Sequence, residues 1–252
     1  TEEGNDNKTH PVTVEKLQKE IEGIVAALKG ASTKEFSFYP TMGDREIAVP
    51  GAAKVFHDAF KLDGALVEGD GLAYTVSAGP AFFVVMPTDA FDGKQEAAGK
   101  PSNGTVLAWL DDVLSSASST HRYLFVVSFE PAYSTSATFQ TATLAVRDEF
   151  WKIVVKNHVL AYFSSREHLF DRSNRNGVWQ VISGGGDGNG VAPAGVERKY
   201  PFIHALILSV PVNGEGSGKE VPTLKIINES GDVIDSFEIN PQAQPLHQMR
   251  IS

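Results

Sequence analysis

The stretch Arg166-Glu167-His168 sets three groups able to do chemistry in consecutive positions: a guanidinium, a carboxylate and an imidazole. A guanidinium grips phosphate or carboxylate through paired hydrogen bonds. Carboxylate and imidazole are the common oxygen and nitrogen ligands of metal ions. A second candidate is Gly184–Gly190 (GGGDGNG), as a phosphate loop or, through Asp187 and Asn189, a calcium loop. It lacks the Lys-Ser/Thr of a nucleotide loop, opens no predicted helix, and has no distal Glu of the EF-hand kind, so a turn is the preferred reading. His10, His57, His121, His158, His204 and His247 are scattered, and their spacing gathers no metal cluster. No Gly-x-Ser-x-Gly occurs, and Ser128 and Ser183 lack an evident His/Asp order, so serine-hydrolase chemistry is not supported.

These groups need elements to position them. In Val146–Asn157 the apolar residues Val146, Phe150, Ile153 and Val154 make one helical stripe. Val159–Phe163 is a short apolar run read as a buried strand, and the turn Ser164–His168 then lies at its carboxyl end, where open α/β sheets place their sites. Gly177–Ile182 reads as another strand, closed by the glycine-rich turn. Upstream, Val14, Leu17, Ile21, Ile24, Val25 and Leu28 predict a helix with Thr13 as its cap and Gly30 as its stop. Phe36–Tyr39 is predicted as a strand and Gly51–Phe60 as a helix. Leu72–Ser77 and Ala81–Met86 are predicted strands joined at Ala78-Gly79-Pro80. After a polar loop to Gly104 come a helix, Thr105–Ala117, capped by Thr105, and a strand, Tyr123–Val127; Phe129–Thr143 is irregular. Three strands, His204–Val210, Thr223–Asn228 and Val233–Ile239, end the chain. The alternation predicts a layered α/β sheet core in one domain over residues 1–252, with 1–12 a loose terminus and 196–252 strands of that same domain.

Composition narrows the function classes. The chain has 252 residues, 42% of them hydrophobic, enough for a sizeable core. A net charge of −9 argues against a nucleic-acid or anionic-membrane surface. The apolar runs Ala81–Met86 and Ala205–Val212 are too short to span a bilayer. Absence of cysteine removes disulfides, thiolate metal sites and cysteine nucleophiles.

Further motifs carry a family resemblance. Helix, strand, Glu167-His168-Leu169-Phe170-Asp171-Arg172, then Gly-Val-Trp-Gln-Val-Ile-Ser-Gly-Gly-Gly over 177–186 resembles the last part of a calcineurin-like metallophosphoesterase of the purple acid phosphatase kind. Phe125–Tyr133 (FVVSFEPAY) resembles that family's F-x-x-GHEPAY, and Leu72–Asp89 its paired strands; Ala108-Trp109-Leu110 matches a helix beginning x-WL, and Ile234–Phe237 a terminal hairpin. The resemblance implies a layered α/β/β/α sandwich. It also implies departures at the metal positions. Asp44 stands for an asparagine ligand, Arg45 for a histidine acid, Phe129 for a metal-binding histidine, and Arg166 lies within a turn that keeps His168 but not its companion imidazole.

Asp44 and His168 are therefore the vestigial metal positions. Two such ligands do not hold an ion pair about 3.5–4 Å apart. Arg45 and Arg166 either bind an anion such as phosphate or pair with nearby carboxylates (Asp44, Glu46, Glu167) and plug the cleft, the plug being preferred. The family's first motifs, Asp-x-His and Gly-Asp-x-x-Asp, do not precede Val14, so the sequence reads as N-terminally truncated, with another protein chain supplying strands or the fold closing without them. The expectation is a non-catalytic binding or assembly module without cofactor; the alternative is a phosphoesterase using Zn, Mn or Fe. A secreted or periplasmic setting is preferred.

Overall fold

The computed structural model describes residues 13–31, 36–62, 66–68, 71–88, 103–134, 144–187, 203–212 and 221–240. Five helices and ten strands lie within them. The helices are α1 (Val14–Ala31), α2 (Asp44–Ile47), α3 (Ala52–Phe60), α4 (Asn103–Ala117) and α5 (Leu144–Lys156). The strands are β1 (Leu66–Glu68), β2 (Gly71–Ala78), β3 (Ala81–Val85), β4 (Tyr123–Val127), β5 (Ala161–Ser164), β6 (Phe170–Arg175), β7 (Val178–Ser183), β8 (His204–Ser209), β9 (Thr223–Asn228) and β10 (Val233–Glu238). They form a seven-stranded sheet in the order β1-β2-β3-β4-β5-β7-β6 and a three-stranded sheet in the order β10-β9-β8. Strands β3, β4, β5 and β7 run parallel, so the loops after β4 and β5 emerge side by side.

Residue patterning explains the layers. One face of the large sheet, with Val84, Leu124, Val126 and Tyr162, packs against Leu110 and Leu114 of α4 and Phe150, Trp151 and Val154 of α5. On the opposite face, Phe125, Ala161 and Val181 meet Leu224 and Ile226 of β9. At its β2 end that face is covered by Leu17 and Ile21 of α1 and Ala53 and Phe56 of α3. Burial of these apolar side chains, at about 1.5–3 kcal/mol each, is the main term holding the layers together. A charged clamp joins the two sheets at their edge. Arg172 on β6 reaches Asp235 on β10 (Nε–Oδ2 3.1 Å) while its guanidinium lies 4.1 Å from the centre of the Phe237 ring.

Several expectations need correction. Phe36–Tyr39 forms no strand: Phe36 and Tyr39 stay exposed, and the segment finds no pairing strand among the described residues, without which extended backbone gains no ladder. Gly30 does not stop α1, which continues to Ala31; Thr13 does cap it, its Oγ1 accepting from Lys16 N at 3.3 Å. Thr105 is not a cap, since α4 already begins at Asn103. Strand β6 was not foreseen, although the Asn176-Gly177 turn joining it to β7 (φ 54 and 87) is the pair that such hairpins demand. Helix α2 and strand β1 were likewise unforeseen. The predicted terminus at 1–12, the middle of the loop before Gly104, and Asn189–Gly190 lie outside the described residues.

Candidate functional site

The carboxyl ends of parallel β4 and β5 bring Ser128–Tyr133 against Ser165–Leu169. Backbone fixes the approach. The carbonyl oxygen of Phe129 accepts from both Ser165 N (3.0 Å) and Arg166 N (2.9 Å), and Ser128 N donates to the Phe163 carbonyl at 3.0 Å. Gly184, just past β7, closes the turn from below, its N–H donating to the Leu169 carbonyl at 3.0 Å. A Cβ at Gly184 would lie 2.0 Å from the Glu167 carbonyl oxygen and 2.2 Å from that of Ser165. Only glycine leaves room there. Gly184 therefore serves as a backing for the turn, and Gly185–Asp187 after it forms a single 3-10 turn.

Within this frame Arg166 is the central side chain. Its Nη1 pairs with Glu130 Oε1, and its Nη2 lies 4.0 Å from Asp44 Oδ2. Arg166 and Glu130 keep side-chain exposures of 18% and 6%, so water screens the pair poorly and each charge depends on the other. The guanidinium carbon is 5.9 Å from the centre of the Phe129 ring. The same ring approaches Gly43, whose absent Cβ would lie 3.4 Å from Phe129 Cε2. Gly43 N donates to Glu46 Oε2 at 2.8 Å, which ties α2 down at its first turn. Tyr162 anchors the loop from the core, its hydroxyl donating to the Glu130 carbonyl oxygen. Burial pushes the Tyr162 phenol well above the usual tyrosine range.

The residues singled out by sequence meet this geometry differently. Arg166 and Asp44 come together. Arg45 is exposed and makes no ion pair among the described residues. Glu46 serves the Gly43 backbone, and Glu167 is completely buried. His168 is exposed, and Asp44 has 53% of its side chain in solvent. The partner of Arg166 is Glu130, a residue that spacing did not nominate; the signal was its place after β4, beside the loop that follows the parallel neighbour β5. Among the described residues, no group of three or more His, Asp or Glu stands close enough to hold a metal ion. The cleft holds the Phe129 ring and the Arg166 guanidinium, neither of which has a lone pair to offer a cation.

The layers are those of the calcineurin-like metallophosphoesterase fold. The chain resembles the purple acid phosphatase PPD1 from seeds of yellow lupin (Lupinus luteus), with a TM-score of 0.51 and 15% identity over 67% of this chain and 32% of that one. It is also similar to GAP50, the anchor in the inner membrane complex of Plasmodium (TM-score 0.49, 16% identity, 67% of this chain and 53% of that one). A dimetal phosphatase from Danio rerio gives a TM-score of 0.49 and 13% identity over 67% and 66% of the two chains. The match spans less than two thirds of each of these proteins. Likeness at this identity carries the fold and no more. No family model and no curated protein sequence matches the chain.

Proposed function

We propose that this chain is a non-catalytic binding or assembly module on a phosphoesterase fold, its cleft closed by side chains where relatives of this fold hold metal. The observation that carries the reading is the part-buried Arg166–Glu130 pair set against Phe129. A fixed cation at that place raises the energy of any divalent ion brought beside it, and its partner carboxylate is already committed. The module acts through its surface, with another protein chain as partner. Arg45, exposed beside Asp44, is the group left to meet a small anion such as phosphate.

A second reading is a metal-dependent phosphoesterase whose ligands are completed by an upstream segment or a partner chain. Asp44 and His168 favour it, because both are exposed residues of types that ligate metal ions. Metal analysis of the purified protein, together with turnover of an aryl phosphate in added Mn²⁺, Zn²⁺ or Fe²⁺, separates the two. The proposal expects neither stoichiometric metal nor turnover. Bound metal with turnover abolished by His168→Ala would establish the second reading instead. Phosphate that raises the melting temperature of the wild type but not of Arg166→Ala would show the cleft to be an anion site rather than a plug.

A further inference from the structure

Asp148, Trp151, Lys152 and Val155 recur at three- and four-residue steps along α5, which sets them in one stripe of that helix. With Tyr133 and Asn176 they wall a cavity of about 330 Å³, at the small end of the range that holds ligands. Its walls are held in place by their own contacts. Gln180, buried on β7, clamps the Tyr133 backbone from both sides, its Oε1 accepting from Tyr133 N at 2.9 Å and its Nε2 donating to Tyr133 O at 2.8 Å. Trp151 is buried and meets the Tyr133 ring edge-on, with ring centres 4.9 Å apart. Asn176 is fixed in the turn between β6 and β7. A cavity built this way needs little ordering when a ligand enters it.

Charge at this place runs against the net −9 of the chain. Two guanidiniums lie over the Tyr133 ring, the carbon of Arg175 4.1 Å and that of Arg147 4.7 Å from its centre. Arg147 is matched by Asp148 (Nη2–Oδ1 2.7 Å) and Lys152 by Glu149 at 3.3 Å. Arg175 makes no ion pair among the described residues. A guanidinium stacked on a ring covers its flat face and keeps the N–H groups along its edge, where they suit a carboxylate.

We infer that this cavity is a binding site for a small carboxylate with a flat apolar body. The carboxylate pairs with Arg175, and the apolar body lies among Tyr133, Trp151 and Val155. One unmatched cation suits a single negative charge; a doubly charged phosphate would also face the Asp148 carboxylate on the wall. The cavity shares no residue with the Arg166 cleft, so its test is independent of how that cleft is read.

The probe is phenylacetate, titrated into the intact chain and followed by NMR of the indole N–H groups. That of Trp151, which makes no hydrogen bond among the described residues, is the reporter. Its signal is expected to move saturably while those of Trp109 and Trp179 stay in place. Acetate, which lacks the ring, and phenethylamine, which carries the opposite charge, are expected to leave it unmoved. Arg175→Gln is expected to weaken phenylacetate binding about fivefold or more, through loss of a charge-assisted contact. Lys54→Gln, which removes an exposed cation on α3, is expected to leave binding within about twofold, since a distant surface charge is screened. A Trp151 signal indifferent to phenylacetate, an equal response to acetate or phenethylamine, or equal effects of the two variants would overturn the inference.

Discussion

Replacing Gly184 by alanine is the sharpest stress that can be placed on the turn holding Arg166. The new methyl carbon would sit 2.0 Å from the Glu167 carbonyl oxygen and 2.2 Å from the Ser165 carbonyl oxygen. A carbon–oxygen contact is comfortable only beyond about 3.3 Å, so backbone has to move by more than an ångström. Neither oxygen swings aside as a side chain would. Glu167 O is already an acceptor for Leu169 N at 2.7 Å, and Leu169 O in turn takes the Gly184 N–H. Overpacking a core costs about 1–3 kcal/mol when side chains can adjust; with backbone on both sides the expected cost is about 3–5 kcal/mol. At a urea slope of about 3 kcal/mol/M the unfolding midpoint falls by roughly 1–1.7 M. Gly186→Ala is the matched control, because nothing lies within 4 Å of its Cβ; its stability stays within about 0.5 kcal/mol of wild type. Equal effects of the two substitutions, or a Gly184→Ala chain as stable as wild type, would refute the role given to Gly184.

Two further outcomes are expected. Asp235→Ala leaves the Arg172 guanidinium stacked on Phe237 and costs about 1–2 kcal/mol, while Arg172→Ala also loses the stacking and costs about 2–3 kcal/mol in urea titrations; equal losses would mean that the ring contact adds nothing. Burial raises the phenols of Tyr74 and Tyr162, whose hydroxyls donate to the Pro40 and Glu130 carbonyls. A folded pKa above the unfolded value of about 10 gives stability that is complete below that pH and drains away as pH rises above it. Absorbance titration should therefore show these two phenols ionising together with unfolding, and Tyr162→Phe should flatten the alkaline loss; phenols that all titrate near pH 10 in a folded chain would contradict this.

The sequence disclosed most where packing is periodic. The stripes of α1, α4 and α5 repeat every three to four residues because each helix buries one face, and β4 appears as an unbroken apolar run because helices and a second sheet cover it. Strand β6 escaped notice for the opposite reason: an outer strand reading Phe-Asp-Arg-Ser-Asn-Arg has little apolar alternation, and only the Asn176-Gly177 turn betrayed it. Phe36–Tyr39 misled because aromatic content suits a strand, yet a strand exists by virtue of its neighbour. At the site, Arg166 and Asp44 were visible through motif resemblance. Glu130 was not, since its pairing arises from two parallel strands 36 residues apart in the chain ending side by side.

The claim that an ion pair stands where metals would be held is tested most directly by a double-mutant cycle on Arg166 and Glu130. Arg166→Met removes the guanidinium from a buried carboxylate and is expected to cost about 3–5 kcal/mol, with Glu130→Gln costing somewhat less because Arg166 keeps some contact with water. The double variant is expected to be more stable than the sum of the two losses by about 2 kcal/mol or more. Losses that add to within about 0.5 kcal/mol would mean that the two charges do not hold each other, and the account of a cleft closed by its own side chains would fall.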